Sequence, residues 1–306
     1  MTTKYQSMFL CLVLINTTFT TLPRQILMAA EPTKPTLVEI QRIWDKAPHN
    51  AFTDLIRHKN LWYCVFREGR GHVSPNGSLR VITSVDGKQW TSKSLISSAT
   101  HDLRDAKITV TPQGKLLLNG AGMIADAKIR YQSMSWLSSD DGATWDDGHV
   151  IGHPGFWLWR VQWHNNLAYT FGYSTERDRT TRQLRLYTSR TGSQFDTHVQ
   201  KLNAPAGCGE DSILFLKDGT ALCLLRHETG NKMAQLGRSV APYIDWVWQD
   251  LNLQIGGPNM LQLPDGRILA ATRLYDGGSR TSLSWLDPLQ GTLTEVLQLP
   301  SGGDTS

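Results

Sequence analysis

Charged residues recur at set points of this 306-residue chain. Asp54, Arg104 with Asp105, Arg160, Glu210 with Asp211, and Asp304 stand where short apolar segments begin. Arg67, Glu68, Arg70, Arg226, His227, Glu228 and Arg273 fall in the segments that follow. Several arginines gathered with a few carboxylates suit recognition of a carboxylate-bearing ligand, because a guanidinium fork meets a carboxylate through two parallel hydrogen bonds. The same charges could instead be ion pairs that tie neighbouring elements together, and the sequence leaves both readings open. Metal and nucleotide chemistry find little support. His101-Asp102 and His227-Glu228 are isolated pairs, and there is no H-E-x-x-H, no glycine-rich loop before Lys-Ser/Thr and no G-x-G-x-x-G. No metal or other cofactor is expected.

The elements that must carry these residues are short strands. Five pairs of apolar segments flank a polar turn, centred on Asn60, Gly114, Asn166, Gly219 and Gly266, with spacings of 54, 52, 53 and 47 residues. A period near fifty with several strands per repeat is the signature of a propeller blade, since a lone blade cannot bury both faces. Composition agrees: 40% hydrophobic and 19% charged residues mark a globular chain, and 26 Gly, 13 Pro and 11 Trp suit many strands joined by tight turns. A second signal closes the repeats. Ser138-Ser139-Asp140-Asp141-Gly142-Ala143-Thr144-Trp145 matches the Asp-box S-x-D-x-G-x-T-W, a turn between outer strands. Weaker copies run from Thr83 to Trp90, with Val85 at the Asp position, and from Thr188 to Phe195, with Arg190 there.

Lys4, the apolar run Met8 to Ile15 and the small residues Ala29 and Ala30 have the layout of an export signal, so residues 1–30 are expected to be a leader and 31–306 the propeller. The run is too short to span a bilayer, and a secreted or periplasmic protein without a membrane span is expected. Beyond the leader, 29 basic face 27 acidic residues, interspersed, which argues against a nucleic-acid partner. Three cysteines remain, Cys64, Cys208 and Cys223, too few and too scattered for a disulfide scaffold.

Taken together, these motifs resemble the sialidase superfamily over residues 40–306. Phe66-Arg67-Glu68-Gly69-Arg70 resembles its F-x-E-x-R segment, Leu103-Arg104-Asp105-Ala106 its x-x-D-P segment, and Glu210 with Arg226 sixteen residues on resembles its glutamate and second triad arginine. The resemblance implies an all-β, six-bladed propeller, of which about five complete blades are present, with the final run Ser301 to Ser306 beginning a sixth and Val38 to Trp44 supplying the closing strand. It implies a secreted glycoside hydrolase acting on a terminal anionic sugar. In that reading Glu210 polarises a nucleophile, Asp105 contacts the sugar or moves a proton, Arg226 and Arg273 hold the carboxylate, and Arg70 faces the same site, with Arg104, Arg160 and Glu68 also binding substrate. The chain departs from the pattern at two points: His49-Asn50-Ala51-Phe52 stands where the first triad arginine belongs, and no tyrosine after Arg273 matches the family's nucleophile. A glycan- or protein-binding propeller without catalysis is one alternative. A glycosidase or lyase on another uronic-type sugar is the other.

Overall fold

The structure is a computed structural model that describes residues 34–124 and 127–301. The expected leader and the run after Ser301 lie outside these residues. Turn chemistry explains the local folding. In the first and third repeats the hairpins turn on two residues, Lys59-Asn60 (φ 47° and 62°) and Asn165-Asn166 (φ 50° and 62°). Positive φ at both central positions is the twist that matches paired strands, and Asn tolerates it. The other three hairpins use a longer loop with a left-handed glycine, Gly114, Gly219 and Gly266, whose amide donates to the carbonyl of Thr111, Leu216 and Leu263.

Each repeat forms one antiparallel sheet, five in all among the described residues. Blade 1 holds β1 (His49–His58), β2 (Leu61–Gly69), β3 (Ser78–Ser84) and β4 (Thr91–Ile96). Blade 2 holds β5 (Asp102–Val110), β6 (Leu116–Met123), β7 (Tyr131–Ser138) and β8 (His149–Ile151). In blade 3 the inner strand is broken into β9 (Phe156–Leu158) and β10 (Gln162–His164), followed by β11 (Leu167–Ser174), β12 (Leu184–Ser189) and β13 (Asp196–Val199). Blade 4 holds β14 (Cys208–Phe215), β15 (Ala221–His227), β16 (Gln235–Ser239) and β17 (Val247–Asp250). Blade 5 holds β18 (Ile255–Gln262), β19 (Ile268–Leu274), β20 (Arg280–Asp287) and β21 (Thr292–Leu299). A single 3-10 turn, Arg179–Thr181, is the only helix among the described residues. None is long and apolar enough to cross a membrane.

Blades stack through apolar faces. Separate cores join blades 1 and 2 around Tyr63, Leu79 and Leu103, blades 2 and 3 around Leu117 and Leu158, blades 3 and 4 around Phe171 and Trp246, and blades 4 and 5 around Leu224 and Ile255. β6 packs into the core toward blade 1 on one face and the core toward blade 3 on the other, which is why it is buried at every position. Phe171 and Trp246 meet edge to face at 5.1 Å, a geometry that adds roughly 0.5–1.5 kcal/mol to the area they bury.

The six-bladed sialidase-type arrangement is not what forms, and five blades stand in its place. Val38 to Trp44 forms no strand; instead Ile43 and Trp44 pack on Cys64, Phe66 and Ile82 of blade 1. Blade 1 (Thr53, Leu55) and blade 5 (Pro258, Asn259) line one cavity of about 580 Å³, so no described sheet stands between them.

Outer turns are set by side-chain hydrogen bonds. Between β7 and β8 the Asp140 carboxylate accepts from Thr144 Oγ1 and N and from Ser138 Oγ, while Gly142 N donates to Ser138 Oγ. Between β3 and β4 the same bonds run from Ser84 and Asp86, with one residue fewer before Trp90, so Asp86 and not Val85 is the equivalent position. The Thr144 bonds in the first turn and the Gln89 and Lys88 amides in the second hold each carboxyl down at about 2. Because the folded value lies below the unfolded one, each aspartate stabilises the fold above about pH 4 and the gain is lost as pH falls through 2. Asp140→Asn is therefore expected to flatten the acid limb of a melting-temperature profile between pH 4 and pH 2; an unchanged limb would contradict this.

Candidate functional site

One backbone device repeats in the inner strands. The register between inner and second strand slips between Ala51 and Asp54, Arg104 and Lys107, Cys208 and Asp211, and Gly256 and Asn259. In blade 3 the break between β9 and β10 stands at the same place. Two inner residues thus oppose one on the partner, a bulge that bends the strand and re-aims its side chains. Phe52 and Asp105 sit in these bulges with φ of 63° and 54°, a left-handed conformation that non-glycine residues adopt at a cost. Glu210 occupies the blade 4 bulge and Arg226 is the residue opposite it, which is why the two meet.

At the mouth formed by these bulged inner-strand starts the charges form two sets. Both oxygens of Glu210 accept from Arg226 Nη1, at 2.6 and 2.5 Å. Arg226 Nη2 lies 3.0 Å from Glu228 Oε1, and Glu228 in turn holds Arg179 at 3.0 Å and Arg182. Arg182 lies over the Tyr173 ring, 5.6 Å from its centroid. Deeper in the axis Arg160 donates to both oxygens of Asp54 at 2.9 Å, joining blade 3 to blade 1, and Asp54 also accepts from Ile108 N. Lys107, 5% exposed, lies over Trp159 at 4.7 Å.

Burial decides how these groups titrate. Desolvation pushes the Asp105 carboxyl up, against the pull of Lys107 and Arg104, and the Glu210 charge pushes it the same way. Desolvation also lowers the Lys107 ammonium, opposed by Asp105. The Tyr173 phenol is raised well above its usual range, first by burial and then by the Glu210 and Asp105 charges. Asp211, wholly buried with neither oxygen hydrogen-bonded, is raised well above the usual carboxylate range by desolvation, Arg160 opposing. A carboxyl whose folded value is raised favours the fold below its unfolded value near 4 and loses that contribution as pH rises through the folded value. The melting temperature is accordingly expected to fall as pH rises above about 4, and Asp211→Asn to make that fall shallower. Parallel profiles for the two proteins would contradict this.

The residues singled out from sequence divide by position. Glu210 and Arg226 meet directly, and Asp105 lies within electrostatic reach of Glu210. Arg104 reaches the His72 carbonyl at 3.0 Å and lies 5.6 Å from the Phe52 ring centroid, on the blade 1 side. Arg273 lies over Tyr275 at 5.6 Å with its Nε buried, and lines the cavity between blades 5 and 1. Gly256 permits this packing: a Cβ there would stand 2.7 Å from Tyr275 Oη and 3.1 Å from Arg273 Nε. Arg160 is held by Asp54. Glu68 is held by Arg80 and by Trp44 Nε1, and Arg70 is exposed. Lys107 and Tyr173 were not legible as site residues, because each lies inside an apolar strand pattern. Among the described residues no cluster of His, Cys, Asp and Glu could hold a metal ion.

No protein-family profile and no curated protein sequence matches the chain. Solved structures do. A Dyadobacter fermentans protein of unknown function superposes with a TM-score of 0.73 at 20% identity, covering 86% of each chain. An alpha-L-arabinanase of Penicillium chrysogenum, solved with arabinobiose, gives a TM-score of 0.63 at 16% identity over 81% of each chain. An alpha-L-arabinofuranosidase of Fusarium graminearum, solved as a variant with an iminosugar inhibitor, gives 0.64 at 14% identity over 81% of this chain and 80% of that one. The likeness is one of fold. It corrects the resemblance to sialidases, since the blades number five and not six.

Proposed function

We propose that the chain is a glycoside hydrolase whose site is the axial mouth, with Asp105 and Glu210 as its working pair. The observation that carries the reading is the contrast between the two carboxyls: Asp105 is desolvated in a strained bulge and raised, while Glu210 is ion-paired through both oxygens to Arg226. Two carboxyl groups in opposed environments facing one cleft are what glycosidic cleavage uses, one as acid and one as base or nucleophile. Asp105 would give its proton to the glycosidic oxygen as the bond from that oxygen to the anomeric carbon breaks. Glu210 would take a proton from the water whose oxygen bonds that carbon, or bond the carbon itself before water releases it. Inversion at the anomeric carbon marks the first course and retention the second.

The fold neighbours support a neutral, arabinose-containing substrate over a sialic acid, and they favour a glycosidase on another sugar. Arg226 is already engaged by Glu210 and Glu228, so a role as sole clamp for a substrate carboxylate has less support than a role in holding Glu210. A secreted or periplasmic setting belongs to the same proposal, supported by the apolar run from Met8 to Ile15. The test is release of reducing sugar from arabinan, galactan and sialylated oligosaccharides, with proton NMR of the product. Release from a plant-type polysaccharide with a defined anomeric configuration supports the reading. Release of sialic acid alone, or no release from any of them, refutes it.

A further inference from the structure

The ion-pair chain from Glu210 through Arg226 and Glu228 to Arg182 leads out of the mouth into a cleft of about 770 Å³ between the loops of blades 2 and 3. Among the described residues five basic side chains line it, Lys128, Arg130, Arg177, Arg179 and Arg182, against one acid, Glu176. That imbalance is local, since 29 basic and 27 acidic residues are spread over the chain beyond residue 30. Arg179 and Arg182 are braced by Glu228, which fixes their guanidinium planes. Lys128 and Arg177 are exposed and make no ion pair among the described residues. The floor is aromatic: Tyr131 and Trp157 pack with centroids 5.0 Å apart, and Trp157 stacks on Tyr173 at 6.2 Å, 8° from parallel.

We propose that this cleft is a subsite for an anionic sugar, one bearing a carboxylate or a sulfate, next to the neutral residue cleaved at the mouth. The proposal rests on the hydrolase reading for its polysaccharide ligand and adds the charge that reading lacks. An aromatic floor takes the C–H face of a sugar ring, and cationic walls take its anion. A flat basic surface would suit a polyanion of any shape; a concave, aromatic-floored cleft continuous with the mouth suits one sugar residue of a bound chain.

The test is calorimetric titration of the full chain carrying Glu210→Gln, which slows turnover, with three probes of equal length: a neutral arabino-oligosaccharide, an oligogalacturonate and a sulfated oligosaccharide. The expected result is that at least one anionic probe binds about tenfold or more tighter than the neutral one at low salt, and that Lys128→Ala with Arg177→Ala removes most of that preference while neutral binding is kept. Preference for oligogalacturonate over the sulfated probe assigns the carboxylate; the reverse assigns sulfate. Equal affinity for all three probes, or a double variant with undiminished preference, overturns the subsite. If the unmodified chain cleaves nothing yet the preference stands, the hydrolase reading fails and the subsite survives. Cleavage without any preference has the opposite meaning.

Discussion

Glu210→Gln is expected to lower turnover of a susceptible oligosaccharide by on the order of 10³-fold while leaving its binding within a few-fold. The glutamine keeps the shape and can still accept from Arg226 Nη1, and Arg226 retains Glu228 at 3.0 Å, so no guanidinium is orphaned. What is lost is the anion, and with it the group that takes a proton from water or bonds the anomeric carbon. Asp105→Asn should act differently. Activity that needs the raised Asp105 carboxyl in its protonated form falls as pH rises through that raised value, because desolvation, the leading cause, no longer holds the proton there. The Asn variant should lose this alkaline limb, and should lose least on substrates whose leaving group needs no proton, such as an aryl glycoside with an acidic phenol. Equal loss on both substrate types would remove Asp105 from the acid role.

The largest effect on stability is expected away from the mouth. Arg67 is wholly buried and donates to Asp102 Oδ1 at 2.7 and 3.1 Å, to the Gly71 carbonyl at 2.7 Å and to Ser74. Asp102, 2% exposed, is the only carboxylate in that set. Asp102→Ala strands a buried guanidinium with only neutral acceptors, which should cost about 3–5 kcal/mol. A matched pair, Arg67→Met with Asp102→Leu, removes both charges and should recover much of the loss, because taking two charges out of water consumes most of what their attraction returns. Denaturant unfolding of the three proteins decides it. A single variant within 1 kcal/mol of the parent, on the roughly 0.5 kcal/mol scale of surface changes, would show that water reaches the site.

Much of the architecture could be read from turn residues. Asn60, Gly114, Asn166, Gly219 and Gly266 mark hairpins because each adopts positive φ, a requirement that confines the residue type and so leaves a trace in sequence. The blade count could not be settled that way. It depends on where Ile43 and Trp44 pack, and apolar residues in a polar stretch do not announce their partner. Asp105 and Glu210 stood out as charges at strand starts and Arg226 as one in the strand that follows, whereas the pairing of Asp54 with Arg160 spans 106 residues and has no local signature. The bulges hid most. Each shifts the inner strand by one residue, so strict alternation misassigns the faces beyond it, and Lys107 reads as a strand residue when it reaches the axis.

Catalysis as proposed requires that Asp105 and Glu210 flank a bound glycosidic bond. A crystal structure of the Glu210→Gln protein soaked with an arabino-oligosaccharide measures this directly. Sugar density is expected in the axial mouth, with one glycosidic oxygen within hydrogen-bond reach of an Asp105 carboxyl oxygen and the adjoining anomeric carbon facing the substituted side chain. Sugar seated only in the cavity between blades 5 and 1, or in the mouth with every glycosidic oxygen beyond reach of Asp105, would contradict it.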